Sequence, residues 1–143
     1  MNRTVFLLLF LLAAVPALLL TTRCSAPEAA ATGPVQFDPA AAPYARLSDY
    51  VFFAGKLQRL QANEGVLPYE LITPLFTDYA HKARFVWMPD SVQATVDAEG
   101  NVRFPDNTVP IKNFYYPADF SRPDADRDLI ETRLLLRRQG QWD

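Results

Sequence analysis

Residues 67–87 read LPYELITPLFTDYAHKARFVW, and this stretch decides the fold because it ends in the clearest strand signal of the chain. Residues 82–88, KARFVWM, combine β-branched and aromatic side chains, a composition that predicts a strand. In residues 66–76, Pro68 and Pro74 exclude both a helix interior and a central strand. We therefore expect an edge strand or an ordered loop there, with its apolar side chains directed inward.

The sequence beyond this stretch continues the β pattern. Alternation of apolar and polar residues predicts four further strands, and Pro110 places one of them at an edge or a bulge. The strands are expected at 92–96, 102–104, 108–116 and 129–138, with hairpin turns at 97–101 and 139–141. In the last strand, the residues expected on the inward face are Ile130, Thr132, Leu134 and Leu136. The predicted fold class is mainly β, as a small antiparallel sheet or a sandwich.

The segments before residue 67 divide the chain further. Residues 46–60 begin with a pattern that predicts a short helix capped by Ser48, which Gly55 then interrupts. Residues 25–45 are rich in Ala and Pro without apolar periodicity, which predicts a flexible tether. We therefore expect a mainly β domain over residues 46–143, behind this linker and an N-terminal targeting segment.

Residues 1–24 have the layout of a secretory signal, because Arg3 precedes the uncharged run VFLLLFLLAAVPALLL at residues 5–20. The run is slightly shorter than the ~20 residues of a membrane-spanning helix, although an uncleaved anchor remains an alternative. Cys24 follows where a bacterial lipoprotein carries its lipid, but Arg23 stands where a small residue is usual. Lipidation of Cys24, simple cleavage and an uncleaved anchor all predict export to the bacterial cell envelope.

Composition narrows the classes of function. Half of the 143 residues are hydrophobic and 13% are aromatic, so one domain can bury a core. The net charge of −2 comes without a basic stripe, which argues against nucleic acid as a partner. Cys24 is the only cysteine, which excludes an internal disulfide and a zinc site built from several cysteines.

His81 is the single histidine and the first candidate for chemistry. It could serve as a general base, a metal ligand or a ligand contact, or lie at the surface with only local hydrogen bonds. Ser48 and Ser91 fit no nucleophile motif, so we assign neither a catalytic residue nor a metal ligand. The ligand-contact candidates are Asp78, Tyr79, His81 and Lys82.

Two other groups are weaker candidates. The run Asp124, Asp126 and Asp128 resembles a calcium loop, but Leu129 and Leu135 occupy the positions that need Gly and Glu. An aromatic group could stack on a sugar, although alternation directs at least half of it to the core. Its members are Phe114, Tyr115, Tyr116 and Phe120. The sequence contains no C-x-x-C-H haem attachment site and no phosphate-binding glycine loop.

Four ordered motifs resemble the N-terminal domain of a family of bacterial envelope proteins described as two-haem c-type cytochromes of largely uncharacterised role. The motifs are LSDY at 47–50 with Phe53, LPYELITPLFTDYAHKARFVWMP at 67–89, RFPDNTVPIKNFYYP at 103–117 and LIETRLLLRRQGQW at 129–142. The resemblance covers essentially the whole predicted domain. Ile72, Asn107 and Pro110 depart from the family pattern, which commonly has Asn, Gly and Leu there.

The resemblance implies an exported, mainly β domain that accompanies a cytochrome. Its partners would be the membrane and a redox partner or downstream cytochrome domain. Haem c would be expected only if a portion after residue 143 carries C-x-x-C-H. We expect such a continuation, because the strand that begins at Trp142 is incomplete. The expected function is a non-enzymatic accessory domain. Alternatives are a glycan or small-ligand module that uses Tyr79, His81, Tyr115 and Tyr116, and a hydrolase with His81 as base.

Overall fold

The structure is a computed structural model that describes residues 33–143. The predicted signal or anchor in residues 1–24, including Cys24, lies outside the described residues. Within the described range, none of the helices is long and apolar enough to span a membrane.

Short strands dominate the regular structure of residues 33–143. Helical structure in this range is confined to two 3₁₀ helices, Leu47–Tyr50 and Leu57–Arg59. The strands are β1 (Phe53–Ala54), β2 (Gln61–Ala62), β3 (Val66–Tyr69), β4 (His81–Trp87), β5 (Thr95–Val96), β6 (Val102–Arg103), β7 (Val109–Pro117), β8 (Arg127–Leu134), β9 (Arg137–Arg138) and β10 (Gln141–Trp142). The predicted mainly β fold is confirmed.

A four-stranded antiparallel sheet in the order β3-β4-β7-β8 forms the centre of the fold. The remaining strands form three small antiparallel pairs, β1 with β2, β5 with β6 and β9 with β10. Strand β3 lies at an edge of the main sheet, as predicted, where a proline such as Pro68 is tolerated because one side of the strand has no ladder partner.

One face of the main sheet, the inner face, carries the hydrophobic core. Alternate residues of β4 and β7 point to this face, and those in the hydrophobic core cluster are Phe85, Trp87, Val109, Ile111 and Tyr115. Side chains from outside the sheet cover them, chiefly Phe37, Phe52, Leu60 and Leu136. The ring centroids of Phe37 and Trp87 are 5.4 Å apart in an edge-to-face arrangement, a geometry that aromatic pairs prefer.

Residues 33–45 differ from the flexible tether predicted for residues 25–45. Phe37 is only 9% exposed and belongs to the core cluster. The backbone N–H of Tyr44 donates to the hydroxyl of Tyr50 at 2.9 Å, which fixes the end of this segment. Isolated aromatic residues in an Ala/Pro-rich segment give no periodic signal, yet each can bury ~150–250 Å² of surface. The folded domain therefore includes the described part of the predicted linker.

Pro110 lies in β7, which is an interior strand, so the predicted edge position is wrong. The alternative, a bulge, occurs in the β7–β8 pair but at Phe114/Tyr115 and not at Pro110. The carbonyl oxygen of Pro110 accepts a hydrogen bond from the N–H of Leu135 at 3.1 Å, just beyond the end of β8. In an antiparallel sheet, the backbone N and O atoms of one residue point toward the same neighbouring strand. The nitrogen of Pro110, which has no hydrogen to donate, therefore points toward residues beyond the end of β8, where no ladder hydrogen bond is lost. Pairing of Pro110 with Val86 on β4 is undisturbed.

A β-bulge changes the phase of β8. Phe114 of β7 pairs with Glu131, but the next residue, Tyr115, pairs with Leu129. Ile130 is the extra residue and is exposed, so the prediction that it faces inward is wrong. Beyond the bulge, the alternation is as predicted. The residues expected to face inward, Thr132, Leu134 and Leu136, are at least partly buried.

Both predicted hairpins are present. In the first, the side chain of Asp97 accepts a hydrogen bond from the N–H of Asn101 at 2.7 Å. This backbone hydrogen bond is the main cause that holds the pKa of Asp97 below its usual value. The side chains of Asn101 and Arg103 and the backbone N–H of Glu99 lower it further. The strand predicted at 92–96 is shorter than expected and is exposed over β5.

The helix predicted near residue 48 is a single 3₁₀ turn. Arg46 occupies the cap position and makes no side-chain capping bond, whereas the Ser48 hydroxyl donates to Asp49 Oδ1 at 3.3 Å. Ser48 is therefore not the cap. Val51 ends the turn in the left-handed conformation, and the Asn63 side chain donates to its carbonyl oxygen at 2.7 Å.

Candidate functional site

The loop of residues 70–80, called here the β3–β4 loop, leaves the sheet after β3 and returns at His81. The sequence predicted that its apolar side chains point inward, and this is wrong. The exposed ones are Leu71, Ile72, Leu75, Phe76 and Tyr79. The inner face of the sheet is already covered by Phe37 and Phe52, so the loop side chains remain at the surface.

The tip of the β3–β4 loop is a tight turn over residues 77–80. The N–H of Ala80 donates to the carbonyl oxygen of Thr77 at 2.7 Å. The two central residues, Asp78 and Tyr79, have φ values of 40° and 62°. Such a turn favours Asn, Asp or Gly, so the unfavourable residue is Tyr79, for which the left-handed conformation costs ~1–2 kcal/mol. Contacts outside the turn must stabilise it.

Two side chains from the sheet supply such contacts. The hydroxyl of Tyr116 on β7 donates to the carbonyl oxygen of Asp78 at 3.0 Å. The ammonium group of Lys82 on β4 donates to the carbonyl oxygen of Leu75. The loop is therefore hydrogen-bonded to the sheet at its tip and at its middle, while its apolar side chains stay in solvent.

A cleft of about 430 Å³ lies between the β3–β4 loop and strand β4. Of the four predicted ligand-contact residues, Tyr79, His81 and Lys82 line it, and Asp78 does not. The sequence did not single out the other lining groups that matter most, which are Glu70, Leu75, Phe76 and Arg84. The volume falls in the range of ~300–1,000 Å³ that is common for small-molecule sites.

Cations line up on the outer face of the sheet, next to this cleft. Arg84, Lys112 and Arg133 pair with one another across three neighbouring strands. Desolvation by burial lowers the pKa of Lys112, and the charges of Arg84, Arg133 and Lys82 lower it further. The ring of Phe114 lies under two of these groups, with Lys112 Nζ 4.7 Å and Arg133 Cζ 5.1 Å from its centroid. Glu131 binds Arg133 and offsets part of this charge, which leaves the row with a net positive charge.

Arg84 is the most buried cation of this row, with a side chain only 6% exposed. Glu70 Oε2 lies 3.9 Å from its Nη1 atom, which is too long for a hydrogen bond. Among the described residues, the guanidinium of Arg84 donates no hydrogen bond to another protein group.

His81 has aromatic neighbours. Its ring centroid lies 5.5 Å from that of Tyr115 and 6.2 Å from that of Phe120. Within residues 33–143, the His81 side chain has no hydrogen-bonded carboxylate or hydroxyl of the kind that a catalytic triad requires. In the same range, no group of three His, Cys, Asp or Glu side chains could hold a metal ion. In the acidic run, Asp124 pairs with Arg127 at 2.7 Å.

No protein-family model, curated protein or solved structure matches this chain. The resemblance to the two-haem cytochrome family therefore stays a prediction, as do the ligand contacts of Asp78, Tyr79, His81 and Lys82. The function has to be argued from the geometry of the cleft and the loop.

The sequence does carry a signal for the position of Arg84. Alternation in KARFVW places Lys82 and Arg84 on one face of β4, opposite Phe85 and Trp87. The register that brings Lys112 and Arg133 into the same row depends on strand pairing, which a single sequence does not reveal.

Proposed function

We propose that this chain is a non-enzymatic accessory domain of the bacterial cell envelope that binds a haem-bearing redox partner through the β3–β4 loop. The partner would be a c-type cytochrome, either encoded downstream in the same chain or produced separately. Support for this partner comes from the resemblance of the four sequence motifs to proteins that carry haem.

The observation that carries the proposal is the exposure of the loop. Ile72 is fully exposed, and Leu75, Phe76 and Tyr79 are 82%, 73% and 74% exposed. Keeping apolar surface in water is unfavourable by ~25 cal/mol per Å². Contiguous exposed apolar patches are typical of interaction sites. The hydrogen bonds from Tyr116 and Lys82 hold the loop in a defined shape, which is what a docking surface needs.

The N-terminal sequence supports attachment to the membrane. The uncharged run at residues 5–20 suits export, and lipidation of Cys24 or an uncleaved anchor would keep the domain at the envelope. A membrane-held accessory domain would meet an envelope cytochrome without free diffusion of both partners.

The two alternative functions have weaker support. A glycan platform would need exposed aromatic faces, but Tyr115 is only 6% exposed and the hydroxyl of Tyr116 is engaged by Asp78. A hydrolase would need a nucleophile or a second acid–base group beside His81, whose ring instead faces Tyr115 and Phe120.

The test begins with the coding sequence beyond codon 143 and the genes beside it, which should encode a protein with C-x-x-C-H. That haem-bearing portion is produced separately and titrated onto the full chain by calorimetry. The double variant Ile72→Ser/Phe76→Ser should weaken binding at least ~10-fold, because it removes two exposed apolar anchors. The full chain should also be recovered in the membrane fraction of its host.

The matched control is Val96→Ser/Val102→Ser, which changes two exposed valines on the β5–β6 hairpin and should leave the affinity unchanged. The proposal is wrong if no haem-binding portion is encoded nearby. It is also wrong if the loop variant binds the haem-bearing portion as tightly as the control does.

A further inference from the structure

The side chain of Arg84 is only 6% exposed, makes no hydrogen bond to another protein group among the described residues, and lines the cleft. Removing an ion from water is unfavourable unless a partner compensates its charge and its hydrogen bonds. Glu70 compensates little, because its side chain is 82% exposed and its oxygen is 3.9 Å away. The N–H donors of Arg84 are thus available to an acceptor that occupies the cleft.

The charges that line the cleft favour an anion with a single negative charge. Lys82 and Arg84 are positive and Glu70 is negative, so these three groups together carry one net positive charge. Lys112 and Arg133 add positive potential from the neighbouring strands. A dianion would be left partly uncompensated beside Glu70, whereas a monoanion would balance the site.

The walls of the cleft favour an apolar body on that anion. Leu75, Phe76 and Tyr79 form the side contributed by the loop, and the rings of Phe76 and Tyr79 meet edge to face at 5.5 Å. The cleft volume of about 430 Å³ accommodates a small ring or a short chain beside the charged group.

We propose that the cleft binds a small monocarboxylate with an apolar or aromatic body. Its carboxylate accepts two hydrogen bonds from the guanidinium of Arg84, in the fork geometry that suits this pair. The ammonium group of Lys82 retains donors beyond the one used for Leu75 and adds a second positive charge. The body lies against Phe76 and Tyr79. This binding goes beyond the docking role and does not depend on a haem-bearing partner.

The experiment titrates phenylacetate onto the full chain in a non-ionic detergent and follows binding by calorimetry. Phenylacetamide has the same shape without the charge, phenyl phosphate offers a second negative charge, and acetate lacks the ring. Phenylacetate should bind at least ~10-fold more tightly than each of the three, since a hydrogen-bonded charge contributes about one factor of ten or more.

Two variants locate the site. Arg84→Met keeps the aliphatic stem and should weaken phenylacetate binding at least ~10-fold. Glu70→Gln removes the competing carboxylate at an exposed position and should tighten binding ~3-fold or more. The control is Arg46→Met, at an exposed arginine outside the sheet that does not line the cleft, and it should leave phenylacetate binding unchanged.

The inference is overturned if phenylacetate does not bind, if phenylacetamide binds equally well, or if Arg84→Met binds phenylacetate as the native chain does. Tighter binding of phenyl phosphate would likewise overturn the choice of a monoanion. Should Arg84→Met fail to fold, Arg84→Lys decides, because it keeps the charge but loses the planar fork, and an unchanged phenylacetate affinity in that variant excludes the proposed pair of hydrogen bonds.

Discussion

The two faces of the main sheet come from alternating residues of the same strands, yet they have opposite chemistry. On β7, Ile111 is completely buried on the inner face, among aromatic side chains. The next residue, Lys112, points to the outer face and lies between Arg84 and Arg133 on the flanking strands. One step along the chain therefore separates an apolar core from a row of like charges.

The difference indicates what each face does. Burial of apolar surface on the inner face stabilises the fold, whereas like charges directly opposite one another on a sheet destabilise it. A local arrangement that opposes folding is expected mainly where function requires it. The outer face, with its cleft and exposed loop, is thus the part of the molecule to examine for binding, and the inner face the part to examine for stability.

The largest expected effect lies on the inner face. Ile111→Ala should lower the free energy of unfolding by ~4 kcal/mol, because it removes buried methyl groups and leaves a cavity in a packed site. Urea unfolding of the full chain in detergent, followed by the fluorescence of the buried Trp87, measures the change.

Ile130→Ala is the matched control, since it makes the same substitution at the exposed bulge residue of β8. It should change the free energy of unfolding by less than ~0.5 kcal/mol. Equal losses in the two variants would mean that the inner face is not the core.

The inner face could be predicted from the sequence only in part. Alternation at 129–138 correctly directed Thr132, Leu134 and Leu136 inward, whereas β4 contains the unbroken apolar run FVW at residues 85–87. The prediction failed where the period changes, at Ile130, because a bulge leaves no signature in a single strand's pattern. It also failed for Phe37, because the pairing of a distant aromatic residue with the sheet is a tertiary contact that no local pattern encodes.

The candidate site was predicted only in part. The sequence points to His81, as the single histidine, and to its neighbours Tyr79 and Lys82, and all three line the cleft. Arg84 did not stand out, since a charged residue inside a strand normally indicates a solvated face. Its burial beside the cleft and the β3–β4 loop is a tertiary feature that the local pattern does not encode. Lys112 and Arg133 joined the same row through strand register, which is likewise invisible in the sequence.

The second prediction tests whether the segment before residue 46 belongs to the core of the inner face. Phe37→Ala should lower the free energy of unfolding by ~3 kcal/mol, the lower end for a buried phenylalanine because this residue lies at the margin of the core. The measurement is again the urea midpoint. Gln36→Ala changes the exposed neighbour and should have little effect. If Phe37→Ala is also neutral, the segment acts as the tether that the sequence predicted.

The third prediction concerns the outer face and has the smallest effect. The pKa of Lys112 is lowered by burial and by Arg84, Arg133 and Lys82. At a pH between the folded-state pKa of Lys112 and the ordinary lysine pKa, the Lys112 side chain is protonated in the unfolded chain but not in the folded chain. Stability should therefore rise with pH across that window. Below the window the charged form opposes folding, so Lys112→Met should be neutral or stabilising by at most ~1 kcal/mol at neutral pH.

The check is the free energy of unfolding of the native chain and of Lys112→Met, measured from neutral pH to the ordinary lysine pKa. The free energy of unfolding of Lys112→Met should rise less with pH than that of the native chain. In Lys56→Met, at an exposed lysine outside the sheet, it should rise as in the native chain. A clear loss of stability in Lys112→Met at neutral pH would contradict the prediction. The outer row would then stabilise the fold, for example through the contact of Lys112 with the ring of Phe114, and the functional contrast between the two faces would lose its energetic basis.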